Sequence, residues 1–259
     1  MTRASGRAPS PPLPRRSRGR ALVAAFGAFG VFGVAGVALG EVPAVAAGGT
    51  RGHDVSSHQR TVDWRAARAK GARFVYVKAS ESTSYRNPYF RGQYDGARKA
   101  GLVRGAYHFA LPDRSSGAAQ AGYFVRSGGG WRADGWTLPP ALDIEGNPYN
   151  GKRRCYGLSP ARMVGWIGSF SDEVERLTGR RPVIYTTARW WNACTGRSTA
   201  FADDHALWVA RYGTRSAGKL PAGWSRWTFW QYDDRGGLPG DQNLFAGSME
   251  GLRAFARGR

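Results

Sequence analysis

The 259 residues are enough for one large domain or two small ones, and a formal net charge of +20 favours anionic partners such as nucleic acid, anionic lipid or cell-wall polymers. The sequence has no zinc-ligand spacing and no heptad repeat, and its arginines are scattered, so we expect no nucleic-acid-binding module. His53 and His58 lie apart from cysteines or other ligand types, so we expect no metal site.

The first 47 residues have the organisation of an export signal. Six arginines lie between Arg3 and Arg20, residues 21–40 carry no charge, and the small-residue motif Ala44-Val45-Ala46 follows. This order predicts a secretory signal with an A-x-A cleavage site, although an uncharged run of this length also fits an uncleaved membrane anchor. We therefore expect residues 1–47 to be removed and the protein to be secreted, with no stable membrane insertion afterwards.

Residues 48–259 form the predicted catalytic domain. Residues 1–47 hold six of the 38 basic and one of the 18 acidic residues, so the remainder keeps a formal charge of +15. For an exported protein the natural target of this charge is an anionic cell wall, where the protein could be retained. No low-complexity linker interrupts the chain from Arg51 onward, which favours a single domain, and we expect a monomer.

Short runs of β-branched and aromatic residues alternate with segments of helical character. In chain order, strands are predicted at 73–78, 105–110, 141–145, 182–186, 206–212 and 227–232, and helices at 63–70, 89–99 and 159–177. A first strand ends near Asp54, and little helix fits after Tyr185. Alternating strands and helices predict an α/β domain, and seven or eight strands fit a closed barrel that is irregular in its second half.

Polar and aromatic residues follow nearly every predicted strand. In a barrel of this kind the active site lies at the carboxyl ends of the strands. The residues at those ends are Asp54, Lys78, Glu81, His108, Asp143, Glu145, Tyr185, Tyr212, Gln231 and Tyr232.

Asp143 and Glu145 stand out because they lie at i and i+2 of an apolar strand. Both then project from one face, with α-carbons roughly 6.6 Å apart at about 3.3 Å per residue. Two interior carboxylates at this distance favour one protonated and one ionised form, as glycoside hydrolysis requires. A structural or cation-binding pair is the alternative. Asp54 and Asp241 would complete a four-carboxylate mouth if the first and last strands meet, although each alone also fits a cap or a turn.

Aromatic residues at the predicted rim could form a groove for sugar rings, with core packing as the alternative. They are Tyr107, Tyr185, Trp208, Tyr212, Trp230 and Tyr232. His108 fits a hydrogen-bonded structural histidine better than a catalytic base. The two cysteines, Cys155 and Cys194, predict one disulfide in an oxidising compartment, against the alternative of two free buried thiols.

Eight short motifs follow one another along residues 51–259. They are Asp54-Val-Ser-Ser-His-Gln59 with Val62-Asp-Trp64, Phe74-Val-Tyr-Val-Lys-Ala-Ser-Glu81, Gly105-Ala-Tyr-His-Phe109, Leu142-Asp-Ile-Glu145, Val183-Ile-Tyr-Thr186, Leu207-Trp-Val-Ala-Arg-Tyr212, Trp230-Gln-Tyr232 and Asp241-Gln-Asn243. Taken in this order, they resemble the glycoside hydrolase family 25 lysozymes. The resemblance implies an irregular TIM-like barrel of about five β/α units followed by three strands with little helix.

The resemblance also implies a reaction: cofactor-free hydrolysis of the β-1,4 bond from N-acetylmuramic acid to N-acetylglucosamine in peptidoglycan. Glu145 matches the general acid/base and Asp143 its partner carboxylate, while Asp54 and Asp241 match two supporting aspartates. Asp143 could attack the sugar or steady an intermediate formed by the 2-acetamido group. Two features depart from the family: Gly240 replaces a hydrophobic residue, and the segment 147–156 is basic and local to this chain.

Other functions remain open at this point. The barrel could bind the wall without catalysis, or the protein could be a cationic membrane-active or nucleic-acid-binding protein, for which charge is the only support. Among enzymes, a chitinase-like hydrolase acting on N-acetylglucosamine polymers is the second candidate.

Overall fold

The computed structural model describes residues 49–259, and the predicted signal segment 1–47 lies outside the described residues. The strands are β1 (Thr50–Val55), β2 (Phe74–Glu81), β3 (Tyr85–Arg86), β4 (Val103–Phe109), β5 (Ala141–Asp143), β6 (Val183–Thr186), β7 (Leu207–Ala210), β8 (Phe229–Asp233) and β9 (Asp241–Phe245). The helices are α1 (Trp64–Ala69), α2 (Phe90–Lys99), α3 (Gly117–Arg126), α4 (Pro160–Thr178), α5 (Ala188–Cys194) and α6 (Met249–Ala256), with 3₁₀ turns at Ser57–Gln59 and Gly151–Arg153.

Eight of the strands close into a mixed barrel. The order around the barrel is β1, β2, β4, β5, β6, β7, β8 and β9, and β9 pairs back with β1, while the two-residue β3 extends β2 as a hairpin. β9 runs antiparallel to both of its neighbours, and the other barrel pairs are parallel. Five β/α units precede β7, β8 and β9, which confirms the expected irregular α/β barrel.

The helices begin where a side chain can satisfy a free backbone amide. Asp63 accepts from the amide of Ala66 at the start of α1, and Ser159 accepts from Arg162 at the start of α4, where Pro160 occupies the first turn. α4 ends at Gly179, whose φ of 73° suits glycine. These caps account for the agreement between the predicted and observed bounds of both helices. Among residues 49–259, no helix has the length and apolar character needed to cross a membrane.

Two layers of apolar side chains lie on the two sides of the barrel wall. An inner cluster that includes Phe74, Tyr76 and Phe229 fills the barrel, and an outer cluster lies between the strands and the helices. His108 is fully buried and stacks on Phe170 of α4 at 5.4 Å.

The neighbours of His108 show what it does. Its ring nitrogens bond to Ser80 Oγ at 2.9 Å and to Gln120 Oε1 at 3.0 Å, and burial lowers its pKa to about 4. The interpretation of His108 as a hydrogen-bonded structural residue is therefore confirmed.

The cysteines form the expected disulfide. Cys155, in the segment between β5 and α4, bonds to Cys194 at the end of α5, with their α-carbons 5.3 Å apart. The bond fastens the chain that follows β5 to the chain that follows β6. This cross-link therefore supports the loops at the carboxyl ends of two adjacent strands.

Candidate active site

Four carboxyl groups meet at one rim of the barrel. Asp54 lies near the end of β1, Asp143 ends β5 and Glu145 follows two residues later, so the strand is shorter than predicted. Asp241 is the first residue of β9, and the antiparallel direction of β9 brings its amino end to the rim where the other strands have their carboxyl ends. Asp54 and Asp241 are direct register partners. All four line one cavity of about 290 Å³.

Asp54 is held by two amide side chains. Gln231 Nε2 donates to Asp54 Oδ2 at 2.7 Å, and Asn243 Nδ2 donates to the same oxygen at 2.6 Å. The Gln231 carbonyl in turn accepts from the hydroxyls of Tyr185 and Tyr212. Each polar group therefore fixes the next, and the orientation of the Asp54 carboxyl is set by the barrel interior.

Asp143 and Glu145 differ from Asp54 in lacking such bonds. Within residues 49–259, neither carboxyl group has a protein hydrogen-bond partner. Asp143 Oδ1 is fully buried and still accepts no hydrogen bond there. A buried polar atom without a partner is costly, and such atoms gather where a protein binds ligand or performs chemistry. The two carboxyl groups are therefore available to a bound molecule.

The protonation of these acids departs from that of ordinary surface carboxylates. Burial raises the pKa of Asp143 well above its usual range, and the charge of Glu145 raises it further. Burial also raises the pKa of Glu145 and of Asp241. Burial, and then the Asp241 carboxylate, raise the pKa of Asp54 to about 8 against the two amide hydrogen bonds, which lower it. The cluster therefore retains protons near neutral pH.

Lys78 is the cation that opposes this effect. It lines the cavity, and its charge lowers the pKa of both Asp143 and Glu145. Its ammonium lies 2.6 Å from Glu81 Oε2 and 4.7 Å from the centre of the Phe109 ring. The lysine is thereby held beside the acidic pair, and it stabilises a carboxylate there.

No group of three or more His, Cys, Asp or Glu residues in the described part of the chain has an arrangement that could hold a metal ion. The chemistry that the rim itself offers is proton transfer between carboxyl groups and stabilisation of positive charge by carboxylates. Two carboxyl groups with free oxygens and raised pKa values at one cavity are what glycoside hydrolysis uses.

Comparisons with known proteins agree with this chemistry. The model of the glycosyl hydrolases family 25 matches residues 53–241. An N,O-diacetylmuramidase of Arthroderma benhamiae is 46% identical over 212 residues, covering 82% of this chain and 88% of the relative. Lysozyme M1 of Streptomyces globisporus is 46% identical, covering 80% and 71%. The solved muramidase of Acremonium alcalophilum is 52% identical with a TM-score of 0.78, covering 81% and 99%.

The chain belongs to glycosyl hydrolase family 25. It is therefore a glycoside hydrolase, and the family resemblance drawn from the eight motifs is confirmed.

Four of the six aromatic residues predicted to form a sugar groove line the cavity of this family 25 chain: Tyr107, Tyr185, Trp208 and Tyr212, whereas Trp230 and Tyr232 do not. Trp208 is 2% exposed and lies at the floor, whereas Tyr212 is 43% exposed and lies at the edge. Trp230 is not among the lining residues and belongs to the outer cluster, where its indole donates to the carbonyl of Arg211. The prediction placed Trp230 on the wrong side of β8, because neighbouring side chains alternate and Gln231 faces the interior.

Gln231 and Asn243 are functional candidates that sequence reasoning did not assign a role. Both donate to Asp54, and Asn243 Oδ1 also accepts from Trp208 Nε1 at 2.7 Å. The available signal was the spacing of Asp241 and Asn243, because residues i and i+2 of a strand face the same side. That spacing places an amide beside the acids, although which acid it contacts depends on the register with β1.

The structure explains why glycine precedes Asp241. Gly240 has a φ of 74°, and a Cβ added to it would lie 1.9 Å from the carbonyl oxygen of Asp54. A larger residue would need both a strained backbone and a displaced β1. The close approach of β9 to β1 in this chain therefore explains why glycine stands at position 240, where the family usually has a hydrophobic residue.

We expect Gly240→Ala to lower the free energy of unfolding by about 2 kcal/mol, through positive-φ strain and the contact with Asp54. Activity should fall as well, because both register partners lie at this contact. Urea unfolding and a reducing-end assay measure the two effects. Gly237→Ala is the matched control, since an added Cβ there has no atom within 4 Å. Equal behaviour of the two variants would refute the explanation.

The raised pKa of Asp54 predicts a pH dependence of stability. The folded protein holds this proton up to about pH 8, whereas an unfolded aspartate loses it near 3.8. The folded state therefore binds more protons in that interval, and the stability contributed by Asp54 is full below pH 3.8 and lost as the pH rises towards 8. Asp54→Asn should flatten the decline of unfolding free energy between these values.

Urea unfolding at several pH values tests this expectation. The asparagine oxygen can still accept from Gln231 and Asn243, so the hydrogen bonds are retained. Asp203→Asn on the exposed surface is the control and should follow the wild-type profile. A wild-type slope in the Asp54→Asn variant would show that Asp54 does not carry this proton.

Proposed function

We propose that this family 25 hydrolase is a secreted muramidase that cleaves the β-1,4 bond between N-acetylmuramic acid and N-acetylglucosamine in bacterial peptidoglycan. Glu145 is the general acid/base and Asp143 its partner carboxylate. The observation that carries the proposal is the pair of carboxyl groups without protein hydrogen-bond partners in the cavity. The names of the relatives, which are lysozymes and muramidases, support the substrate.

In the proposed reaction Glu145 gives its proton to the glycosidic oxygen. The bond between that oxygen and the anomeric carbon breaks, and the leaving sugar keeps the electron pair. Asp143 stabilises the positive charge on the anomeric carbon, either by bonding to it or by steadying the intermediate that forms when the 2-acetamido oxygen bonds to it. A water molecule then adds to the anomeric carbon as the bond from that carbon to Asp143 or to the acetamido oxygen breaks, and the water returns a proton to Glu145, which restores the enzyme.

The charges at the rim support these different roles for Glu145 and Asp143. Burial raises the pKa of both Glu145 and Asp143, so the pair holds a proton to a higher pH than two exposed carboxyl groups would. Once the proton has left, both groups are negative, and Lys78 together with the cationic sugar compensates them. Glu145 is also the more exposed of the two, which suits a group that meets the leaving oxygen.

Asp54 and Asp241 support the reaction in this proposal by binding substrate, and the charge of Asp241 raises the pKa of Glu145. A protonated Asp54 can donate a hydrogen bond to a sugar oxygen while its other oxygen keeps the bonds from Gln231 and Asn243. The aromatic residues Tyr107, Tyr185, Trp208 and Tyr212 offer apolar faces to the sugar rings. No cofactor takes part, and the working unit is a monomer.

We expect Glu145→Gln to lower the rate of peptidoglycan hydrolysis by at least about a hundredfold, because the variant cannot donate a proton. Release of reducing ends measures the rate, and pelleting with insoluble wall should show unchanged binding. Glu250→Gln, in an exposed position at the start of α6, is the control and should match the wild type. A Glu145→Gln variant that still hydrolyses the wall would remove Glu145 from the mechanism.

Mass spectrometry of the wild-type digest decides between the alternative functions. New reducing ends on N-acetylmuramic acid support the muramidase. Reducing ends on N-acetylglucosamine favour the chitinase-like alternative, and binding without reducing ends favours a non-catalytic barrel.

Secretion is proposed from residues 1–47, and the charge of +15 on the remainder is proposed to hold the enzyme at anionic wall polymers. When the full chain is expressed in a bacterium with a general secretion system, we expect the protein in the medium or the wall fraction, with an amino terminus near residue 48. N-terminal sequencing identifies that terminus. An intact chain that stays in the membrane fraction would instead support the uncleaved anchor.

A further inference from the structure

The segment 147–154, which we term the basic loop, begins two residues after Glu145. It contains three cationic residues and no acidic one. Tyr149 in this loop is 65% exposed, and its hydroxyl donates to Glu81, the partner of the cavity-lining Lys78. The basic loop therefore lies at the rim near the ends of β2 and β5, and Glu81 connects it to the cavity-lining Lys78.

Both ends of the basic loop are fixed. Asn147 Oδ1 accepts from the amides of Tyr149 at 3.0 Å and Asn150 at 3.0 Å, which sets the first turn. The carbonyl of Arg154 accepts from the amide of Asn147 at 3.2 Å and from Trp190 Nε1 at 3.1 Å. Cys155 follows and is bonded to Cys194. A loop tied at both ends presents its side chains at defined places.

Two cations of the basic loop have no partner among residues 49–259. Lys152 and Arg154 are exposed, and within residues 49–259 their side chains make no hydrogen bond or ion pair, whereas Arg153 donates to the carbonyl of Tyr156. The Arg154 stem lies near Gly146, the residue after the proposed acid, since a Cβ on Gly146 would be 3.8 Å from Arg154 Cγ. Two uncommitted positive charges thus lie on the loop that leaves the rim after Glu145.

We propose that Lys152 and Arg154 form a subsite for a carboxylate on the lactyl branch of muramic acid. This inference rests on the proposed function, because only a muramyl polymer carries that branch next to the scissile bond. The carboxylate is either the free lactyl group or an acidic group of the peptide attached to it. Arginine and lysine at an exposed edge pair with such a group through charge-assisted hydrogen bonds, while the acidic cavity beside them would repel it.

The test compares substrates that differ in charge but not in glycan. The first is native peptidoglycan. The second is the same material with its carboxyl groups coupled to methylamine, which leaves neutral amides. The third is peptidoglycan stripped of its peptides by an amidase, which leaves free lactyl carboxylates on the glycan.

The variant is the double substitution Lys152→Gln and Arg154→Gln. We expect kcat/KM on native peptidoglycan to fall about tenfold, the effect of losing one charge-assisted contact, and to change less than about twofold on the amidated polymer. A loss that persists on the stripped polymer shows that the free lactyl carboxylate, which the amidase exposes, also occupies the subsite. A loss that disappears there identifies the carboxylates of the peptide.

The matched control is the double substitution Lys99→Gln and Arg132→Gln. It removes the same two residue types, which are also exposed and without ion pairs in the described part of the chain, one from the end of α2 and one from the loop before β5. An equal loss in this control would show that net charge is responsible. An equal loss on native and amidated polymer, or no loss on native polymer, would also overturn the subsite.

Binding to the same three polymers, measured by pelleting in the Glu145→Gln background, separates this inference from the proposed function. A wild type that releases no reducing ends from any polymer contradicts the muramidase. If the carboxylate subsite exists, the double substitution should still weaken binding to native wall more than it weakens binding to amidated wall. On each polymer, the double variant is compared with the Glu145→Gln protein that lacks the double substitution.

Discussion

The antiparallel pairing of β9 with β1 is the constraint on which the site depends. It closes the barrel, and it places Asp54 opposite Asp241 at the rim where Asp143 and Glu145 lie. A slip of one residue in this register would turn Asp241 and Asn243 to the outside of the barrel. The close approach at Gly240 is therefore part of the same requirement, since a side chain there would push the two strands apart.

The four acids are tolerated because the site holds protons as well as charges. Two carboxylates a few ångströms apart in a buried place repel strongly, and raising a pKa is the less costly solution. At Asp54 the amides of Gln231 and Asn243 compensate the burial in part, and at Asp143 and Glu145 the charge of Lys78 does so. The interior of the barrel thus gives the acids different environments, from Asp54, whose Oδ2 accepts two amide hydrogen bonds, to Asp143 and Glu145, whose oxygens accept none within residues 49–259. Groups with different proton affinities in one cavity are what acid/base chemistry requires.

Much of this arrangement is visible in the sequence, and the rest depends on long-range geometry. The strand runs and the caps Asp63 and Ser159 are local signals, so the elements that they mark were predicted closely. α3 was not predicted, because its glycine-rich and alanine-rich sequence has little polar contrast between its faces and becomes a helix by packing on α4. The direction of β9 was also not predictable from its five residues alone.

The residues of the site also divide into those that the sequence pattern predicts and those that depend on long-range geometry. Barrel closure was enough to expect Asp54 and Asp241 near the acidic pair, and the structure brings them together. Trp230 was assigned to the cavity because the motif alone does not show which face of the strand an aromatic side chain lies on. The hydrogen bonds that the amide side chains of Gln231 and Asn243 donate to Asp54 join residues 177 and 189 positions apart in the sequence. No local pattern specifies such a pairing.

The charge of the protein and the charge of its cavity have opposite signs, and each suits a different range of distance. We propose that the basic surface, whose field extends over roughly 10 Å of solution before salt screens it, attracts the enzyme to an anionic wall. Within the cavity the field comes from the buried acids, which would favour the positive charge that develops on the sugar in the proposed reaction. An anionic polymer would thus be attracted at long range and would meet acidic groups at the reacting bond. Lys78 lines the cavity among these acids and Tyr149 of the basic loop donates to its partner Glu81, so cationic groups adjoin the acids at the rim.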